Sequence, residues 1–277
     1  MAPIEFRHRS TCNYIGTWTI IKMESQRMVL KQKWFLLANM LTPLLYFFFI
    51  INALSPMLGT VRFDGHSVNY EAYALVGLMA MNLIGQMGKT MYRISSDRKN
   101  GLFALKMDAG LHPMLYIMAM GVSSIWGYLL QMVCFYILMA ICQIFISAWI
   151  FLLLTIVGLV ALVFWICLGT ALAFYLGQKT SRQMGVNFLM LLLSFSAPSF
   201  YSYNDAPVYI QQLSMLNPLT YQLEAMRTVL FASLSWDILG KMAGFSVVSF
   251  FIAAWVTGRE IGRASCRERV SCYVYVW

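Results

Sequence analysis

Two groupings in this 277-residue chain hold residue types that could do chemistry. Gly88-Lys89-Thr90 carries the lysine and hydroxyl with which a phosphate-binding loop grips a nucleotide. Glu224 and Arg227, three residues apart, could pair on one helix face or meet a charged ligand. The first fails on spacing: the phosphate loop needs a glycine five residues before Gly88, where the chain has Leu83. Any ATP must therefore be hydrolysed by another polypeptide. His8, His66 and His112 are far apart, and Cys12, Cys134, Cys142 and Cys167 show neither metal nor disulfide spacing. No catalytic, cofactor-binding or metal site is expected, and for Glu224/Arg227 a structural role outweighs substrate contact.

The elements that must position these residues are membrane helices. The chain is 60% hydrophobic and 11% charged, far outside the soluble range. From Ala109 to Gln178 there is no Asp, Glu, Lys or Arg, enough for two crossings of about 20 residues each. An all-α membrane protein follows, with six crossings at about Trp34–Leu54, Ala72–Tyr92, Pro113–Ile141, Ala148–Tyr175, Met184–Tyr201 and Ile238–Thr257. Asn82, Gln86, Gln131 and Gln143 read as polar links between helices.

The net charge of +9 is spread over the ends of these segments, which argues for anionic lipid and against nucleic acid. With the N-terminus inside, the inner segments hold Arg7, Arg9, Lys22, Arg27, Lys31, Lys33, Lys89, Arg93, Arg98, Lys99, Lys106, Lys179, Arg182 and Arg259. The outer ones hold Arg62, Arg227 and Lys241. Both termini are expected in the cytoplasm of a multi-pass protein of the cell (plasma or inner) membrane. No cleaved signal peptide is expected.

Three irregular stretches stand out. Asn13–Lys33 reads as an amphipathic interfacial helix, with Tyr14, Trp18, Ile21 and Met28 on one face and Glu24, Arg27 and Lys31 on another. Ser95–Met114 is the main cytoplasmic loop, with an apolar stripe of Leu102, Phe103 and Leu105, glycine punctuation at Gly101 and Gly110, and Pro113 opening the third crossing. Beyond the fifth crossing, Pro198 and Pro207 break the helix; Asn217 then caps a new one, Pro218 suits its first turn, and Tyr221, Glu224 and Arg227 follow at helical spacing. Pro207–Leu230 is too polar to cross and too apolar for a free loop, so it is expected to form a re-entrant hairpin at the outer leaflet.

In its order of elements the chain resembles the permease subunit of ABC-2 type ATP-binding-cassette exporters. Asp97–Pro113 (DRKNGLFALKMDAGLHP) is similar to that family's coupling loop, and Leu216–Arg227 (LNPLTYQLEAMR) to its Asn-Pro…Glu-x-x-Arg segment. Where many members carry a Ser-Gly-x-x-x-Pro turn, this chain has Ser196-Ala197-Pro198-Ser199-Phe200-Tyr201. The resemblance implies a permease domain over residues 34–258 behind the interfacial helix at 13–33. It implies ATPase coupling through Asp97, Arg98, Gly101, Leu102, Leu105 and Pro113, and an outer gate of Pro198, Asn217, Pro218, Tyr221, Glu224 and Arg227. The implied partners are a cytoplasmic ATPase subunit holding ATP and Mg, a second permease copy in a homo- or heterodimer, and membrane lipid; the cargo would be hydrophobic or amphipathic. An ion-coupled secondary transporter is the alternative, although it expects intramembrane charges that the central crossings lack. Ile261–Val270 reads as in-frame translation of a common sequencing adapter, so residues 260–277 are expected to be an artefactual tail.

Overall fold

The computed structural model describes residues 14–31, 33–108, 113–176, 180–203, 206–232 and 236–274. Asn13, Leu111, Arg7, Arg9, His8, His112, Cys12, Lys179 and residues 275–277 lie outside the described residues.

Nearly everything described is helix. The chain runs α1 (Tyr14–Lys31), α2 (Lys33–Tyr46), a π-helical turn at Phe47–Ile51, α3 (Asn52–Leu58), β1 (Thr60–Phe63), β2 (His66–Asn69) and α4 (Tyr70–Lys99). It continues through α5 (Leu102–Asp108), α6 (Pro113–Ile141), α7 (Ala148–Leu176), α8 (Thr180–Ser196), α9 (Val208–Leu216), α10 (Pro218–Phe231) and α11 (Trp236–Val274). Among the described residues, four stretches are long and apolar enough to cross a membrane: Met40–Leu58, Met114–Ile141, Ala148–Leu176 and Asp237–Arg259.

The expected second crossing falls in α4, which is long enough but not among the four strongly apolar stretches. Its position accounts for that. Ala72 through Ala80 are all buried, and α4 packs against α6, α7, α8 and α10. A helix face shielded by protein can carry polar side chains that lipid would not tolerate. Here they link helices: Gln86 donates to Gln131 at 3.2 Å, Gln131 donates to Asn82 at 3.1 Å, and Thr90 lies 3.0 Å from Ser124. Gln143 stands apart from this ladder, in the turn after α6, with a left-handed φ of 57°.

Small residues let α4 approach its neighbours closely. A Cβ on Gly77 would overlap the Ser199 carbonyl, and one on Gly169 of α7 would sit 2.6 Å from the Met87 carbonyl oxygen of α4. Trp165, fully buried on α7, donates to Gln222 of α10 at 2.7 Å. The first crossing behaves differently: its π turn presents Phe48 and Phe49 outward, leaving a broad apolar face on α2 and α3.

One element was not expected. Between α3 and α4 the chain forms an antiparallel hairpin, pairing Val61 with Val68 and Phe63 with His66. Asp64 and Gly65 turn it with φ of 47° and 80°, the left-handed pair that a two-residue turn matched to strand twist requires. The Asp-Gly dipeptide was the available signal.

Candidate functional site

At the Lys99 end of α4 the helices meet around buried charge. The expected loop at Ser95 is in fact helix: α4 continues to Lys99, so Asp97 and Arg98 stand on its last turn and α5 begins only at Leu102. Gly101, at φ 69°, makes the reversal between them, a backbone state that glycine adopts without Cβ strain. Lys106 reaches back from α5 to Asp97 at 2.6 Å and lies 3.9 Å from Glu24 of α1. Glu24 also pairs with Arg93 of α4. Glu24 and Asp97 are 6% and 3% exposed. Glu24, on the charged face of α1, is thus buried, and two cations from other helices allow it.

Aromatic packing reinforces this ionic knot. Phe103 of α5 stands edge-on to Tyr116 of α6 and Phe174 of α7, both at 5.2 Å. Arg98 donates to the carbonyls of Ala173 and Phe174 at 3.2 and 3.3 Å, satisfying groups that the end of α7 leaves open. The expected apolar stripe is split. Phe103 points inward, whereas Leu102 and Leu105 are 38% and 66% exposed. On α1, Trp18 is 69% exposed, and Ser25 accepts from the Trp126 indole at 3.2 Å.

The opposite end, at the start of α4, is built around Arg227. Its guanidinium lies 3.5 Å over the Tyr73 ring and donates to Pro198 O at 2.8 Å and Ser199 O at 2.9 Å. Arg227 is 2% exposed and Glu224 is exposed; among the described residues no ion pair joins them. The expected pairing is replaced by carbonyls, because the bend after α8 offers two oxygens deep against α4 while Glu224 is exposed. Partial burial pushes the Glu224 carboxyl up from its ordinary range, with Lys241 pulling it back, Asp64 adding to the rise and Arg227 opposing it.

Asn217 fastens α10 to α8. Its Oδ1 caps α10 by accepting from Leu219 N at 2.9 Å, while its Nδ2 donates to Leu193 O at 2.6 Å and Ser196 Oγ at 2.9 Å. Pro218 occupies the first turn of α10, and Tyr221 donates to Met215 O at 2.9 Å, closing the angle between α9 and α10. No cluster of three or more His, Cys, Asp or Glu suited to a metal ion occurs among the described residues.

A helical membrane domain with these two ends is matched by one family model, described as ABC-2 type transporter, over residues 16–231. The chain belongs to the ABC-2 type transporter family. It is a permease component of an ABC-type transporter and a multi-pass membrane protein. Comparison with curated proteins finds no match to the chain. The family match runs from α1 through α10, so it takes in both the ionic knot and the Arg227 anchor.

Within this ABC-2 permease the structure gathers Asp97 and Arg98 at the Lys99 end of α4, with Gly101, Leu102 and Leu105 following on the reversal and on α5. Pro113 opens α6. Pro198, Asn217, Pro218, Tyr221, Glu224 and Arg227 gather at the opposite end. Glu24, Arg93 and Phe103 were missed as members of the charged cluster, and Tyr73 as Arg227's platform. Nothing in the local pattern of α1 marks Glu24, whose partners lie on α4 and α5.

Proposed function

We propose that this chain is the permease of an ATP-driven exporter, moving a hydrophobic or amphipathic cargo with a separate cytoplasmic ATPase subunit that holds ATP and Mg. It works with a second permease copy, identical or related, in the cell membrane. The domain comprises six crossings behind an interfacial helix, with both termini cytoplasmic and α9–α10 re-entrant at the outer leaflet. The observation that carries the reading is the knot of Glu24, Arg93, Asp97 and Lys106. It fastens α5 to both α1 and α4, so a push on the short helix is passed to a helix running the length of the domain. Leu102 and Leu105, exposed on the other side of α5, are the docking surface for the ATPase. Lipid and the second copy cover the outward faces of α2, α3 and α8, where Phe48, Phe49, Phe188, Leu191 and Leu192 are exposed.

A membrane assembly that switches between two arrangements needs discrete, rigid contacts of this kind rather than a flexible tether. The test is isolation of the tagged chain from its native membrane and assay of ATP hydrolysis in the eluate. Leu105→Cys should crosslink to the co-purifying ATPase. An intact permease eluting with no ATPase activity above background overturns the reading.

A further inference from the structure

Beside Arg227 the outer end holds a cavity of about 560 Å³, within the roughly 300–1,000 Å³ range of small-molecule sites. It is formed inside one chain, by the β1–β2 hairpin, the bend after α8, and α10 with the start of α11. Its described lining carries both signs of charge: Arg62 and Arg227 against Asp64 and Glu224. Tyr203 and Tyr221 supply aromatic surface, and Phe63, Met215, Leu223 and Ile238 an apolar margin. Two buried donors on the lining have no partner, Arg227 Nε and Thr220 Oγ. Both atoms lie behind the cavity wall, with almost no surface open to it, so a ligand meets the charged and aromatic lining instead.

We propose that this cavity binds the zwitterionic head of an amphiphile. The cationic end faces Asp64 and Glu224 between the Tyr203 and Tyr221 rings, and the anionic end faces Arg62, with the buried Arg227 charge behind it. Aromatic faces flanked by carboxylates suit a quaternary or primary ammonium, and a guanidinium suits a phosphate or carboxylate. A purely anionic or purely cationic head would leave one pair of charges opposed or unused. The inference names the cargo class of the proposed permease and so rests on that reading. It is tested without the ATPase, so the two can fail separately.

Purified permease in maltoside micelles is titrated with dihexanoylphosphatidylcholine below its micelle concentration, alongside dihexanoylphosphatidylglycerol, choline and inorganic phosphate. The zwitterionic lipid should bind at least tenfold tighter than the others. The Asp64→Asn/Glu224→Gln variant should lose that tenfold preference, and Arg62→Gln should weaken both lipids. As an independent readout of place, Ser202→Cys should be protected from an impermeant maleimide by the zwitterionic lipid. Equal affinity for all four probes, tight binding of choline or phosphate alone, an unchanged preference in the double variant, or unprotected Ser202→Cys each overturns the proposal.

Discussion

Lys106 on the short helix α5 lies 2.6 Å from Asp97 on the last turn of α4, with both side chains withdrawn from solvent. The contact spans nine residues and bridges the Gly101 reversal. Buried ion pairs are poor evidence of stability, yet removing one partner strands the other charge and is strongly destabilising. Geometry, more than energy, is what this pair contributes: it holds α5 in one register against α4 and α1.

Lys106→Met should therefore lower stability by about 3–5 kcal/mol, because Asp97 stays buried but loses the lysine it pairs with directly. Asp97→Asn combined with Lys106→Met should recover more than half of that loss. Thermal unfolding followed by fluorescence-detected size exclusion reads both values. A double variant no better than the single would show that the pair is not the source of the cost.

Arg227 and Glu224 should part company. Arg227→Lys keeps the charge but loses the planar stack on Tyr73 and the forked donation to Pro198 and Ser199. A loss of about 2–4 kcal/mol is expected, in the range for stranded buried acceptors and broken charge-assisted bonds. Glu224→Gln, exposed and unpaired with Arg227, should stay within about 0.5 kcal/mol. Comparable losses from both would restore the ion pair as the stabilising unit.

Close approach of α4 to its neighbours gives a test with an internal control. Gly77→Ala and Gly169→Ala drive a Cβ into backbone oxygen and should each cost about 1–3 kcal/mol, the usual range for overpacking. Gly85→Ala on the same helix meets nothing within 4 Å and should be neutral or stabilising by up to about 1 kcal/mol. Equal yields of folded protein from all three would contradict the packing described for α4.

Most of the architecture was legible in the sequence because membrane helices announce themselves by length and apolarity, and helix ends by residues such as Asn217, Pro218 and Pro113. What escaped depends on contacts distant in sequence. The burial of Glu24 could not be read from α1 alone, because Arg93 and Lys106, which allow it, lie on other helices. Phe103 looked like part of a docking stripe because three apolar residues in four leave the direction of a short helix undetermined. Glu224 and Arg227 invited pairing by spacing alone, while the better acceptors for Arg227 came from the bend around Pro198. The β1–β2 hairpin is the exception. Asp64-Gly65 is a local hairpin signal, but its flanking strands are only four residues each, too short for their alternation to stand out.

In the proposed mechanism, the conformational work of ATP hydrolysis on a separate subunit is passed to the outer end of this permease through α5 and its ionic knot. The most direct measurement is the rate at which an impermeant maleimide labels Ser202→Cys in the reconstituted permease–ATPase complex, with and without ATP and Mg. The account predicts a severalfold change in rate on adding ATP, abolished by Asp97→Asn/Lys106→Met while ATP hydrolysis continues. A rate indifferent to ATP in the intact complex, or a response that survives the double substitution, would contradict it.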